Sequence, residues 1–169
     1  MVILIGGASH TGKTVLAQNL IGKYGCACLS MDLLKMGLIR SGRTSLTPED
    51  DEALTDYLWP IVREIVKTAV ENEQSLIVEG AYIPFHWRKD FEKTYLKEIR
   101  CLFLVMSGRY IREHFGDIRA HACDAEQRQD GRISAEELVQ DNEAILAGCR
   151  AHGCPHILID ETYPAEFPL

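Results

Sequence analysis

The chain has 169 residues, a formal net charge of −7, and 46% hydrophobic and 25% charged residues, which is the composition of one ordinary globular domain. The acidic balance argues against nucleic acid as a partner, because binding by bulk electrostatics needs a basic surface. The apolar runs are far shorter than the roughly 20 residues that cross a bilayer. We therefore expect no membrane segment.

Two further features bear on the location of the protein. Met1 is followed directly by apolar residues without a basic flank, so we expect no signal peptide. The six cysteines fit neither a zinc-site spacing nor a small disulfide scaffold. Reduced thiols are the expectation for such cysteines, and we predict a cytoplasmic protein that is a monomer or a homodimer.

Five short apolar runs are predicted to be strands, because strands buried on both faces of a parallel sheet lack polar alternation. In chain order they are Val2–Ile5, Cys26–Ser30, Ser75–Val78, Cys101–Met106 and His156–Ile159. Helical patterns separate them, and this alternation indicates right-handed βαβ crossovers. We therefore predict an α/β fold, a three-layer α/β/α sandwich with a five-stranded parallel sheet, in a single domain over residues 1–169.

The first two predicted helices carry start or stop signals. Lys13–Tyr24 has apolar residues at helical spacing and ends before Gly25, a suitable residue for the left-handed turn after a helix. The stretch Thr47-Pro48-Glu49-Asp50 predicts a helix start with Thr47 as its cap. That helix is predicted to run to Asn72, with Pro60 as a kink or break.

The last predicted helix begins at a capping box, formed by Ser134 and Glu137. It is expected to end near Gly148 or Gly153, because glycine commonly follows a helix.

Residues 7–14 match the pattern G-x-x-x-x-G-K-[ST] in full, between a predicted strand and a predicted helix. In such a loop the backbone N–H groups surround the phosphates, and the helix N-terminus adds its positive dipole end. We expect Lys13 to reach the β- and γ-phosphates and Thr14 to ligate Mg²⁺. Two interpretations of His10 remain open: it contacts a phosphate, or it is a loop residue without a role in binding. The predicted nucleotide-binding residues here are Gly7, Ala8, Ser9, His10, Thr11, Gly12, Lys13, Thr14 and Val15.

A carboxylate beside this loop is needed to hold the Mg²⁺ water shell or to activate a nucleophile. Glu79 ends the run SLIVEG, and Asp160-Glu161 ends the run HILIDE, which is closer to the hydrolytic ATPase pattern. Only eight residues follow HILIDE, however, which makes it the last strand, and the family resemblance given below implies that this strand lies at an edge of the sheet. We therefore predict Glu79 as the metal-site carboxylate and expect Asp160 to close the sheet, with the loop after it near the adenine.

The acceptor is predicted to bind at the carboxyl ends of the second and third strands, where open α/β sheets bind ligands. Asp32 follows the second strand in CLSMDLLKMGLIR. An aspartate there can orient or deprotonate an acceptor hydroxyl, and it can also cap the next helix. Whether Asp32 or Glu79 is the base stays open. The predicted acceptor contacts are Asp32, Arg40, Glu79 and Tyr82; basic residues suit an anion and aromatic residues suit a sugar or nucleobase.

The P-loop, the aspartate after the second strand and the VEG that ends the third together resemble the P-loop small-molecule kinases, the nucleoside and nucleotide kinase group. Within that group, SMDLLKMGLIR and LIVEGAYIP are similar to stretches of 2-phosphoglycerate kinase-like proteins. The resemblance implies the strand order 2-3-1-4-5. It also implies a helical lid within about residues 109–132, with Arg109, Arg112 and Arg119 in it, Arg112 at the nucleotide and Arg119 at the phosphates.

The function predicted from these features is transfer of the γ-phosphate of Mg-ATP to a small-molecule acceptor, with Lys13, Asp32, Arg112 and Arg119 as catalytic residues. The sequence has no Asn-Lys-x-Asp guanine motif and no ABC-type signature, which favours a kinase over a GTPase or an ABC ATPase. The alternatives are a nucleotide-binding regulatory module or an ATPase without transfer. A polynucleotide end or an antibiotic is the alternative acceptor.

Overall fold

The computed structural model describes residues 1–121 and 134–163. Within them the chain forms a five-stranded sheet in the order β2-β3-β1-β4-β5. The strands are β1 (Val2–Gly7), β2 (Ala27–Ser30), β3 (Leu76–Glu79), β4 (Ile99–Met106) and β5 (His156–Ile159). Every neighbouring pair in this sheet is parallel. The predicted strands and their order are thus confirmed, with ends that shift by one to two residues.

Helices connect the strands. They are α1 (Lys13–Tyr24), α2 (Met31–Arg40), α3 (Asp51–Glu71), the short α4 (Lys93–Leu96), α5 (Gly108–His121) and α6 (Ala135–His152). A 3₁₀ turn, Trp87–Asp90, precedes α4. Among the described residues, none of these helices combines the length and the apolar character that a membrane span requires. The cysteines in the same part of the chain, namely Cys26, Cys28, Cys101, Cys149 and Cys154, are free thiols.

The central strand β1 shows why helices cover both faces of the sheet. All six of its residues are buried, and successive side chains of a strand point to opposite faces. Val2 and Leu4 belong to the cluster that contains Leu58 of α3. Ile3 and Ile5 belong to the cluster on the opposite face, which contains residues of α1. The continuous apolar run of β1 therefore packs against helices on both faces of the sheet.

Two helix termini follow the predicted signals. Gly25 ends α1 with φ 63° and donates its backbone N–H to the carbonyl of Ile21. Ser134 and Glu137 form the capping box of α6, since the Ser134 side chain accepts from the Glu137 N–H and the Glu137 side chain accepts from the Ser134 N–H. Gly153, and not Gly148, ends α6.

The predicted start of α3 is wrong by three residues. The helix begins at Asp51, after Asp50, and Thr47 is not its cap. Instead the Asp50 carboxylate accepts hydrogen bonds from the Thr47 backbone N–H at 2.7 Å and from its hydroxyl at 2.9 Å. The four residues thus form a turn anchored by the aspartate. The helix also does not break at Pro60, which lies on its exposed side.

The predicted lid is described only in part. Its first residues form α5, whose backbone leaves helical geometry at His114 with φ −113° and ψ 15°. Residues 122–132 of the predicted lid lie outside the described residues. α5 directly follows β4 in the chain, and the action of this segment as a lid stays a prediction.

Candidate active site

The loop of residues 7–12 joins the carboxyl end of β1 to the N-terminus of α1. It turns sharply because three of its residues have positive φ: Gly7 at 138°, His10 at 63° and Gly12 at 82°. A Cβ on Gly7 would overlap the carbonyl oxygen of Leu104 on the neighbouring strand, so that only glycine allows this approach. The left-handed His10 is a departure that the sequence does not signal, and its Nε2 is shielded from solvent.

Two buried side chains hold the interior of the loop. Thr11 is fully buried, and its hydroxyl donates to the carbonyl of Ala8 at 2.9 Å. Lys13 is 5% exposed, and its ammonium group donates to the same carbonyl at 2.7 Å. The lysine charge is therefore kept inside the concave loop, where backbone N–H groups and the α1 dipole also favour an anion. Val15, in contrast, is 44% exposed on the first turn of α1.

Thr14 and Glu79 meet at the edge of the loop. The Thr14 hydroxyl donates to Glu79 Oε2 at 3.3 Å. Glu79 is 1% exposed, ends β3, and lies in register with Ile5 of β1 and Ser30 of β2. A hydroxyl and a carboxylate are oxygen ligands of the kind that Mg²⁺ prefers. The pair fits a Mg²⁺ site at the place where the sequence predicts one.

The described residues contain no group of three or more His, Cys, Asp or Glu side chains arranged for a metal ion. A Mg²⁺ site does not require such a group, because Mg²⁺ is commonly held by one or two carboxylates while substrate phosphates and water supply the other ligands.

Asp32 lies in the first turn of α2 and forms an ion pair with Lys35, whose Nζ is 2.9 Å from Asp32 Oδ1. Both side chains are more than four-fifths buried, with 14% and 12% exposure. Lys35 also donates to the Tyr82 hydroxyl at 2.9 Å, and this hydroxyl donates to Asp51 Oδ1 at 3.0 Å. This acceptor-side network, Asp32–Lys35–Tyr82–Asp51, joins α2, the segment after β3 and the start of α3.

The network shifts the pKa values of its members. Burial lowers the pKa of Lys35, but the hydrogen bond with Tyr82 and the charge of Asp32 outweigh burial, so that the net pKa is raised. Burial raises the pKa of Tyr82 to about 12, with the carboxylate of Asp51 adding to the rise and Lys35 opposing it. At neutral pH the network therefore contains a cationic lysine and a neutral phenol.

Arg40 lies apart from this network. It is the last residue of α2 and is exposed. With a rise of about 1.5 Å per residue, eight residues separate it from Asp32 by roughly 12 Å along the helix axis. Its predicted contact with the acceptor stays a prediction, as does that of Tyr82, which is 4% exposed.

The arginines of α5 differ in their contacts. Arg109 forms ion pairs with Asp160 at 2.8 Å and with Glu161 at 3.5 Å, and so ties the start of α5 to the segment after β5. Arg112 donates to the carbonyl of Gly108 in its own helix at 3.2 Å. Arg119 is exposed near the end of α5. The roles of Arg112 and Arg119 at the nucleotide stay predictions.

Tyr163 is a site residue that the sequence analysis missed. Its hydroxyl donates to the backbone carbonyls of Thr11 and Gly12, at 3.2 and 3.4 Å. Burial raises its pKa to about 12. It lies in the segment after Asp160, which was expected near the adenine. A single tyrosine after the last strand, however, has no sequence pattern that would predict a contact with the P-loop.

No family profile and no curated protein matches the sequence. Solved structures, however, match nearly the whole chain. A Chloroflexus aurantiacus protein provisionally described as a kinase has a TM-score of 0.57 and 20% identity, over 99% of this chain and 91% of its own. A Janibacter sugar kinase has a TM-score of 0.53 and 19% identity, over 96% of this chain and 86% of its own. A Sinorhizobium meliloti gluconokinase has a TM-score of 0.52 and 14% identity, over 96% of this chain and 83% of its own.

At these identities the matches show the fold alone. Together with the strand order, they show that the chain has the fold of the P-loop small-molecule kinases. The resemblance to 2-phosphoglycerate kinase-like proteins stays a similarity of two short sequence stretches.

Proposed function

We propose that this protein is a phosphotransferase that moves the γ-phosphate of ATP to a small-molecule acceptor. One observation carries the proposal. The strands β2, β3 and β1 are in register at Ser30, Glu79 and Ile5. One edge of the sheet therefore carries Asp32, the Thr14–Glu79 pair and the loop of residues 7–12, which we call the phosphate loop. A phosphate-binding loop, a metal-type ligand pair and a buried aspartate at one edge are the parts that phosphoryl transfer needs.

The chemistry is an in-line displacement. A hydroxyl oxygen of the acceptor forms a bond to the γ-phosphorus, while the bond from that phosphorus to the β,γ-bridging oxygen breaks and its electron pair leaves with ADP. Lys13 and the N-terminus of α1 stabilise the negative charge on the phosphoryl oxygens. Mg²⁺, when bound at Thr14 and Glu79, neutralises further phosphate charge. The acceptor proton passes to a carboxylate of the chain.

We propose Asp32, rather than Glu79, as the carboxylate that accepts the proton of the acceptor hydroxyl. Glu79 accepts from Thr14 and belongs with the metal ligands, whereas Asp32 stands at the start of α2, beside the lysine of the acceptor-side network. The positive charge of Lys35 favours the ionised form of Asp32, which is the form that accepts a proton. Lys35 thus positions the base.

Arg112 and Arg119 are proposed to add positive charge at the nucleotide once the segment that contains them closes over it. Closure excludes water and suppresses hydrolysis of ATP. The similarity of the fold to those of a sugar kinase and a gluconokinase supports an acceptor that offers a hydroxyl group.

The test is ADP release from Mg-ATP over a panel of acceptors: sugars and sugar acids, nucleosides, nucleoside monophosphates, shikimate, phosphoglycerates and aminoglycosides. We expect stimulation by one class of acceptor. In Lys13→Ala it should fall by roughly 10²- to 10³-fold, because a preorganised charge at the transferred group is lost. Lys23→Ala, at the other end of α1, is the matched control and should behave as the unaltered chain.

The circular dichroism spectrum should be alike in all three proteins, because the Lys13 ammonium group contacts the loop backbone and Lys13 belongs to none of the apolar clusters among the described residues. Normal transfer by Lys13→Ala would contradict the proposal. ATP binding without stimulation by any acceptor would favour the regulatory module.

A further inference from the structure

A cavity lies at the amino-terminal end of β4, away from the phosphate loop. β4 pairs with β1 from Ile99 onward but with β5 only from Phe103 onward. In the part of the chain that the structure describes, β4 therefore has no strand neighbour on the β5 side over residues 99–102. The space beside it has a volume of about 370 Å³. Its lining includes Trp87, Arg88, Leu96, Arg100, Cys101 and Pro155.

This β4-edge cavity is positively charged. Arg88 and Arg100 both line it, and no acidic residue does. Within residues 1–121 and 134–163, neither guanidinium has a carboxylate oxygen within 4 Å.

Each of the two arginines has a contact with a neighbouring part of the chain. The Arg88 guanidinium carbon lies 5.0 Å from the centroid of the Trp87 ring, a cation–π contact. Its charge also reaches Cys101 in the cavity wall, where it opposes the burial that raises the pKa of this thiol. Arg100 donates to the carbonyl of Lys97 at 3.3 Å. Both side chains are exposed, and among the described residues each has this one contact with the chain.

Trp87 adds a donor without an acceptor. Its side chain is 1% exposed, and its indole Nε1 is buried with no hydrogen-bond partner among the described residues. A buried N–H normally has an acceptor, since its desolvation is otherwise uncompensated. The wall of the cavity thus carries two guanidiniums and no acidic side chain, and the residue with the unsatisfied N–H is the one whose ring contacts Arg88.

We propose that the β4-edge cavity binds a small oxyanion, a phosphate group that is free or carried by a phosphomonoester. Guanidinium groups bind phosphate through paired, charge-assisted hydrogen bonds. The volume is at the small end of the range for ligand pockets, about 300–1,000 Å³. Leu96 and Pro155 give part of the wall an apolar surface, on which the carbon skeleton of a phosphomonoester can pack.

This site is distinct from the phosphate loop. Gly7, the first residue of the phosphate loop, is in register with Leu104, four residues along β4 from Arg100. At about 3.3 Å per residue the start of the loop is roughly 13 Å from Arg100 along the strand direction, and the rest of the loop follows the end of β1. The proposal therefore does not depend on the proposed phosphotransfer, and either can fail alone.

The experiment uses tryptophan fluorescence. The chain has two tryptophans, so that Trp59→Phe leaves Trp87, in the cavity wall, as the only reporter. Titration with inorganic phosphate and with glycerol 3-phosphate should give a saturable change of emission. The apparent Kd should rise at least tenfold in Arg88→Gln and in Arg100→Gln. It should be unchanged in Arg150→Gln, an exposed arginine of α6, and in Lys13→Ala, which disables the phosphate loop.

Calorimetry on the chain with both tryptophans, saturated with ADP, gives a second measure that does not depend on the fluorophore. Tighter binding of glycerol 3-phosphate identifies a phosphomonoester, and equal affinity identifies the free anion. The proposal is overturned if no saturable change occurs, if binding survives both arginine substitutions, or if Lys13→Ala abolishes it.

Discussion

At the scale of single residues, Gly12 and Tyr163 depend on each other. Gly12 has φ 82°, and a Cβ at this position would overlap the Tyr163 hydroxyl. The same hydroxyl donates to the carbonyls of Thr11 and Gly12. A carbonyl that accepts from Tyr163 keeps the adjoining peptide in one orientation, and the N–H groups of the loop are useful only if they stay oriented toward the phosphates.

Tyr163→Phe removes this hydroxyl and keeps the ring. We expect the free energy of unfolding to fall by about 1 kcal/mol, as for a typical hydrogen bond. The KM for ATP should rise several-fold while the KM for the acceptor stays constant, since only the phosphate loop loses a support. Steady-state kinetics with each substrate varied in turn measure both. Tyr24→Phe, on the exposed end of α1, is the control, and equal changes in the two KM values would contradict the assignment.

At the scale of elements, the approach of α6 to the sheet depends on a glycine inside that helix. A Cβ on Gly148 would overlap the ring of Phe85. Phe85 in turn contacts Phe103 of β4, with ring centroids 5.5 Å apart, and stacks on His152 of α6 at 6.0 Å. Glycine lowers the helix propensity of α6. Because it has no side chain, however, it allows α6 to pack closely on these aromatic rings.

Two glycine-to-alanine changes should therefore have opposite signs. Gly148→Ala should lower the free energy of unfolding by about 1–3 kcal/mol, as for an overpacked core. Gly22→Ala, in α1, meets no heavy atom within 4 Å and should raise it by up to about 1 kcal/mol. Urea unfolding with a constant m-value measures both. If Gly148→Ala were also stabilising, the close approach of Phe85 would be wrong.

At the scale of the whole molecule, the interior holds several groups whose protons are retained by burial. Burial raises the pKa of Tyr82 and of Tyr163 to about 12, and that of the Cys149 thiol to about 12. In the unfolded chain, tyrosine loses its proton near pH 10 and cysteine near pH 8.5. Between these values and pH 12 the folded chain binds more protons, so that the free energy of unfolding falls as the pH rises.

Lys35 acts in the same direction, because its folded pKa lies above its ordinary value of 10.5. Its contribution is complete below that value and is lost as the pH rises through the folded pKa. We expect the urea midpoint to decrease steadily from pH 8 to pH 11. In Tyr82→Phe, one of these groups is missing, so the decrease should be less steep. A midpoint that is constant over this range would contradict the prediction.

The position of a residue was predictable wherever one strand end was enough to place it. Glu79 ends an apolar run, and parallel strands bring their carboxyl ends to one edge, which is why its place at the edge that also carries the loop after β1 could be expected from the sequence. The hydrogen bond with Thr14 was not predicted, and the role of the two residues as metal ligands stays a prediction. The start of α3 was not predictable in this way. Thr47 and Asp50 suit a capped helix and an aspartate-anchored turn equally well, and the structure has the turn.

By itself, the sequence determined the five strands, their parallel arrangement with helices on both faces, and the phosphate loop. The apolar runs, and the spacing of the glycines and Lys13, are local properties of the sequence. Only a few arrangements of strands and helices are compatible with them. Only the tertiary structure decided the acceptor-side network, the contact of Tyr163 with a loop 151 residues away, and the cavity beside β4. Each depends on the distance between side chains from different elements, and packing of the whole chain sets that distance.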